Sequence, residues 1–194
     1  ALDDAWEADL VSRLPFPIAF VLARARQEST LWEILIKDTL NILLRYVALL
    51  GVSEYLSDPS EPDFDVNDEL KNISRVMSEG QWLRLARSCA ARKTSGRPLP
   101  ELADAILRIE TDKNLAVGAK FERYGLNADR QGLFSILIAI RNKLFAHGVT
   151  LNADEKAQVS AQVRRLIRAV LCELQPVWEY RLCVPVGDKE AHRY

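Results

Sequence analysis

The stretch from Leu133 to Ile140 reads Leu-Phe-Ser-Ile-Leu-Ile-Ala-Ile, apolar on nearly every side. A helix that is hydrophobic all round belongs at the centre of a bundle, where neighbours cover every face. The rest of the chain must therefore supply covering helices, and its patterning does so with almost no strand alternation. Thr30 to Glu33 has the form of a capping box, and Leu31, Ile34, Leu35, Ile42, Leu43, Tyr46 and Leu50 follow at helical spacing up to Gly51, a stop signal. Ahead of it, Leu14-Pro15-Phe16-Pro17 separates a short opening helix from one spanning about 17–27. Asn67 or Asp68 caps a helix to about Met77, and Ser78-Glu79-Gly80-Gln81 opens the next. Further helical patterns cover about 101–111, 114–124 and 127–147, the last stopped by Gly148. Asn152-Ala153-Asp154-Glu155 begins a long helix ending near Pro176. The loops are 57–65, acidic, proline-containing and the best candidate for mobility, and 94–100.

These signals predict an all-α fold, an antiparallel bundle of about six to eight helices. Only Leu182–Val186 looks extended, a candidate short C-terminal strand. The 194 residues, 48% hydrophobic and 27% charged, suit one domain with a real core. We place it at 1–180, with 181–194 as an extension or linker toward a downstream domain. The chain begins with Ala1 and its one Met is Met77, so it reads as a piece of a longer or processed protein. Acids stand where the basic start of a signal peptide would be, and the apolar stretch 31–50 is interrupted by Glu33, Lys37, Asp38, Asn41 and Arg45, so neither export nor membrane insertion is expected. Cys89, Cys172 and Cys183 are too few and scattered for a disulfide framework or a zinc site, which suggests a reducing, cytoplasmic setting.

The chemistry concentrates where the apolar run ends. Arg141-Asn142-Lys143-Leu144-Phe145-Ala146-His147-Gly148 follows Ile140 directly. Arg and His at the end of the most buried helix are costly unless paired or set at a cleft. Over six helical residues they stand about 9 Å apart along the axis and about 120° around it, so both reach one groove only from its helix-terminal edge. There are two histidines, and His192 is the third-last residue, so any His chemistry rests on His147. Charge adds a direction. Residues 1–70 hold fourteen acids against five bases, whereas 71–194 hold thirteen against twenty-one. Only the second part, which includes Arg141 and His147, suits a polyanion.

Arg141, the polar Asn142 directly after it, and His147 five intervening residues on, near a helix C-terminus in an α-bundle, resemble the signature of the HEPN superfamily, the higher eukaryote and prokaryote nucleotide-binding domains. The resemblance covers residues 133–148; elsewhere it extends to helix number and order. It implies an HEPN-like fold and a metal-independent endoribonuclease without cofactor, acting on RNA as a homodimer whose two Arg/His motifs share one groove. His147 would transfer a proton, Arg141 would stabilise charge on the phosphorane, and Asn142 would orient one of them or bind a phosphate oxygen. A toxin or phage-defence setting, with a flanking domain or regulatory partner, is likewise implied. One branch of the superfamily carries a Tyr two residues after the His that a partner enzyme modifies with AMP. Here Val149 occupies that place, which speaks against such regulation.

The plainer interpretation of the same residues is a non-catalytic dimerisation or interaction module. Arg141 then caps carbonyls or pairs with an acid at a bundle end. Lys143, Arg84 and Arg87 are candidate RNA contacts. Arg84 and Arg87, together with Arg92, Lys93 and Arg97 beside Trp82, read either as an RNA track or as the solvated face of an amphipathic helix, and helical patterning favours the latter. Arg164, Arg165 and Arg168 read as an exposed rim. Asp154 and Glu155 suit a helix N-terminus, the acids of 58–69 lack calcium-loop spacing, and Cys89 and Cys172 sit in apolar stretches as packing residues. No glycine motif for phosphate binding and no serine- or zinc-hydrolase constellation occurs.

Overall fold

Why the apolar run can be central is clear in a computed structural model, which describes residues 2–27, 35–58, 62–73, 75–92, 97, 99–112, 132–146, 151–178 and 180. The described residues contain eight α-helices and no strand: α1 (Leu2–Arg13), α2 (Phe16–Gln27), α3 (Leu40–Ser57), α4 (Phe64–Leu70), α5 (Glu79–Ala91), α6 (Pro100–Thr111), α7 (Leu133–Arg141) and α8 (Ala153–Glu173). Five-residue π-helical turns run over Leu35–Thr39, just before α3, and over Asn142–Ala146, just after α7. None of these helices is long and apolar enough to cross a membrane. The fold is all-α, and one core cluster extends from Leu10 to Trp178.

α7 is covered as its composition requires. It packs on α5, α6, α8 and the 35–39 turn, which bury Leu133, Phe134, Ile136, Leu137 and Ile140 almost completely. On the other side of α5 lies α3, and this pair is the most extensive in the bundle. The C-terminal end is tied back to α3 as well: the Tyr46 hydroxyl donates to the Tyr180 carbonyl at 2.6 Å, and the Tyr46 and Trp178 rings stand 6.2 Å apart.

Local signals placed several boundaries well. The break at 14–17 separates α1 from α2, Ser78 and Gln81 form a capping box for α5, and Asn152 and Glu155 form another for α8. Reciprocal side-chain caps like these satisfy orphan N–H groups at a helix start.

Other expectations are corrected. Gly51 does not stop its helix; α3 continues to Ser57. A Cβ on Gly51 would lie 2.8 Å from the Cys89 Cβ of α5, so this glycine permits a close helix crossing. Neither Asn67 nor Asp68 caps α4. Asp63 does, accepting from the N–H groups of Asp65 and Val66, while Asn67 accepts from the Tyr55 hydroxyl. The acids of 57–65 are thus partly structural rather than wholly solvated, and Asp58 pairs with Arg92 at 3.0 Å. The helix expected to reach 147 leaves α-geometry after Arg141. Cys172 is exposed, unlike buried Cys89. The helix expected at 114–124, the 30–33 capping box, Gly148, the 182–186 strand and the 181–194 extension lie outside the described residues.

Candidate functional site

Arg141 closes α7 and starts the π-turn. Because the preceding turns are apolar and packed, its guanidinium is delivered to the bundle end near the start of α5. There Nη2 lies 3.2 Å from Oε1 of Glu79, in the first turn of α5, and the two side chains are 30% and 11% exposed. Nη1 donates to Oδ1 of the next residue, Asn142, at 3.0 Å. Nε is buried and meets no acceptor among the described residues. The guanidinium is therefore turned with its Nε edge inward and its Nη groups toward Glu79, Asn142 and solvent. Asn142 is exposed, Lys143 half-buried and Leu144 buried. His147 and Val149 lie outside the described residues. The π-turn widens the backbone relative to an α-helix, so the angular offset worked for a continuous α-helix does not hold beyond Arg141.

The carboxylate of Glu79 sits where the positive end of α5 stabilises an anion. Its sequence setting, between the cap residues Ser78 and Gln81, gives it an ordinary helix-start look. Nothing local indicates that the end of α7 abuts it, and so its contact with Arg141 is invisible in the sequence.

The two arginines named as candidate RNA contacts meet carboxylates too. Arg84, 56% exposed, donates through Nε to Oε1 of Glu69 on α4 at 2.8 Å. Arg87 pairs with Glu110 on α6 and donates to the Ser135 hydroxyl on α7 at 2.7 Å. Ser135 in turn donates to Glu110 Oε2 at 3.2 Å, and Glu110 Oε1 accepts the Phe134 N–H at 3.1 Å. One acid thereby joins three helices and caps the start of α7. Gly132 makes this approach feasible, since a Cβ there would lie 2.5 Å from both the Cα and the carbonyl oxygen of Glu110. With Glu79 at one end and Arg87 at the other, α5 holds both ends of α7 in antiparallel register.

Lys93 lies outside the described residues, and the other two members of the basic run depart from both expected forms. Arg92 and Arg97 are neither an RNA track nor a solvated face. The Arg92 side chain is 6% exposed, paired with Asp58 and stacked over the Tyr55 ring at 4.5 Å. Arg97 donates to the carbonyls of Cys89 and Arg92 at the end of α5 and lies 3.9 Å from Glu54. Burial raises the pKa of Glu54 above the usual carboxylate value, against the opposing pull of Arg97. Burial also pushes the Cys89 thiol up to about 12. Trp82 is buried, with the Arg45 guanidinium 5.7 Å from its ring centre.

No cluster of His, Cys, Asp or Glu able to hold a metal occurs among the described residues. Comparisons with family models, with curated proteins and with solved structures return no match to this chain.

Proposed function

We propose that this chain is a metal-independent endoribonuclease domain, acting on RNA through Arg141 and His147 in a homodimer, as part of a larger toxin or phage-defence protein. The observation that carries the reading is the Arg141 guanidinium. It stands part-exposed at the end of an otherwise apolar helix, with Asn142 holding one Nη group. A fixed planar donor fork suits a phosphodiester whose charge grows during reaction. In the reaction, the 2′-hydroxyl oxygen attacks the adjacent phosphorus and the bond from phosphorus to the 5′ oxygen breaks. The proton lost by the 2′-hydroxyl is balanced by one gained at the leaving oxygen. His147 exchanges a proton in one of these transfers, because imidazole titrates in the required range. Arg141 stabilises the non-bridging oxygens.

A second reading, a non-catalytic dimerisation or interaction module, has its own support: Arg84, Arg87 and Arg141 each face a carboxylate. Incubating the purified protein with RNA in EDTA, beside His147→Ala and Arg141→Ala, separates the two. Cleavage that survives chelation and disappears in both variants is the result expected of the enzyme. No cleavage by a dimer established in light scattering leaves the interaction module, and equal cleavage by all three proteins overturns the Arg141/His147 mechanism.

A further inference from the structure

The contact between Glu79 and Arg141 contains more than is needed to orient the arginine. Asn142 already holds Nη1, and burial of Nε already turns the inner edge of the guanidinium into the bundle. Both restraints leave its positive charge intact. Glu79 adds a carboxylate at 3.2 Å from Nη2, and its two oxygens share one negative charge, as the two non-bridging oxygens of a phosphodiester do, so either anion can pair with a guanidinium fork. It neutralises the cation that a phosphodiester would have to meet. The position of Glu79 in the first turn of α5 strengthens this, since the helix start favours a negative charge there.

We infer that Glu79 is an internal stand-in for the RNA phosphate, an autoinhibitory latch on Arg141 that must be displaced before the backbone of an RNA engages. The inference rests on Arg141 being a phosphate contact, as in the function proposed above. It differs from a positioning role for Glu79 in sign: a positioning residue helps binding, whereas a latch competes with it.

The test measures binding of a 2′-O-methyl RNA oligonucleotide, which lacks the attacking hydroxyl and stays intact, to the wild-type protein, Glu79→Gln, Glu79→Ala, Arg141→Ala and the double variant Glu79→Gln with Arg141→Ala. Circular dichroism verifies that each remains helical, and the two Glu79 variants back each other if one fails to fold. The pair is partly exposed, so release of the latch should tighten binding about fivefold. That gain should vanish in the double variant. Unchanged or weaker binding by the Glu79 variants, or a gain that persists without Arg141, overturns the latch. Cleavage of ordinary RNA, measured in parallel, keeps the two ideas apart. A gain in binding with no cleavage by any protein sustains the latch and sinks the ribonuclease. Cleavage that depends on Arg141 and His147, with no gain from Glu79→Gln, does the reverse.

Discussion

Replacing Gly51 with alanine should destabilise the protein, although the same change inside an ordinary helix stabilises it. Gly51 lies within α3, where alanine is preferred over glycine by about 1 kcal/mol on propensity alone. Its new Cβ would lie 2.8 Å from the Cβ of Cys89 and 3.5 Å from its sulfur. Carbon atoms in good contact stand about 3.5–4.0 Å apart, so α3 and α5 would have to separate by roughly 1 Å at this crossing within the most extensive helix pair. Over-packing of this kind costs about 1–3 kcal/mol. Set against the propensity gain, the net loss is about 1 kcal/mol, a fall in Tm of about 2–4 °C for a chain of this size. Gly80→Ala is the internal control: it is also helical, but the nearest atom to its Cβ is the Ser78 hydroxyl at 4.0 Å, and it should gain about 0.5–1 kcal/mol. Urea unfolding of both variants gives the comparison. Pairing Gly51→Ala with Cys89→Gly removes the opposing Cβ and should return a favourable coupling energy in a double-mutant cycle. If Gly51→Ala stabilises as much as Gly80→Ala, the close crossing of α3 and α5 does not restrict residue 51.

Other expectations concern the ion pairs and cysteines. Arg92→Ala removes a guanidinium that is 6% exposed and paired with Asp58, and should cost about 3–5 kcal/mol in chemical unfolding; Arg84→Ala, at an exposed pair, should cost under about 1 kcal/mol. The folded-state pKa of Glu54 is raised, mainly by burial, so the folded state favours its neutral form. Its contribution to stability is greatest at low pH and declines as pH rises from the ordinary carboxylate value of 4.5 through the raised one. Glu54→Gln should therefore gain on the wild type progressively over that window, and parallel stability curves across it would contradict the assignment. At pH 8, alkylation followed by peptide mass mapping should label exposed Cys172 while Cys89, its thiol pushed up to about 12, reacts only once the protein unfolds.

The helical class, the break at 14–17, the helix starts at Ser78 and Asn152 and the central place of α7 were legible locally, because caps act within three residues and an all-round apolar helix has no stable place but the interior. The partners of charged residues were not. Arg84, Arg87, Arg92 and Arg97 form one basic run in sequence, yet the bundle sends each toward a different element: Glu69 on α4, Glu110 on α6, Asp58 after α3, and the carbonyls ending α5. Gly51 misleads for the same reason, since only the crossing with Cys89 distinguishes a packing glycine from a stop.

By itself, then, the sequence determined that the chain is a helical bundle around residues 133–140, and it singled out Arg141, Asn142 and His147 as the candidate site. Only the tertiary structure decided that Arg141 faces Glu79 across the end of α7. The physical reason is one of range. Helix formation and capping are read from neighbours within a turn or two, whereas an ion pair depends on which helix end the packing brings within about 4 Å. Residues 79 and 141 are distant in the chain, and their meeting turns an isolated cation into a paired one.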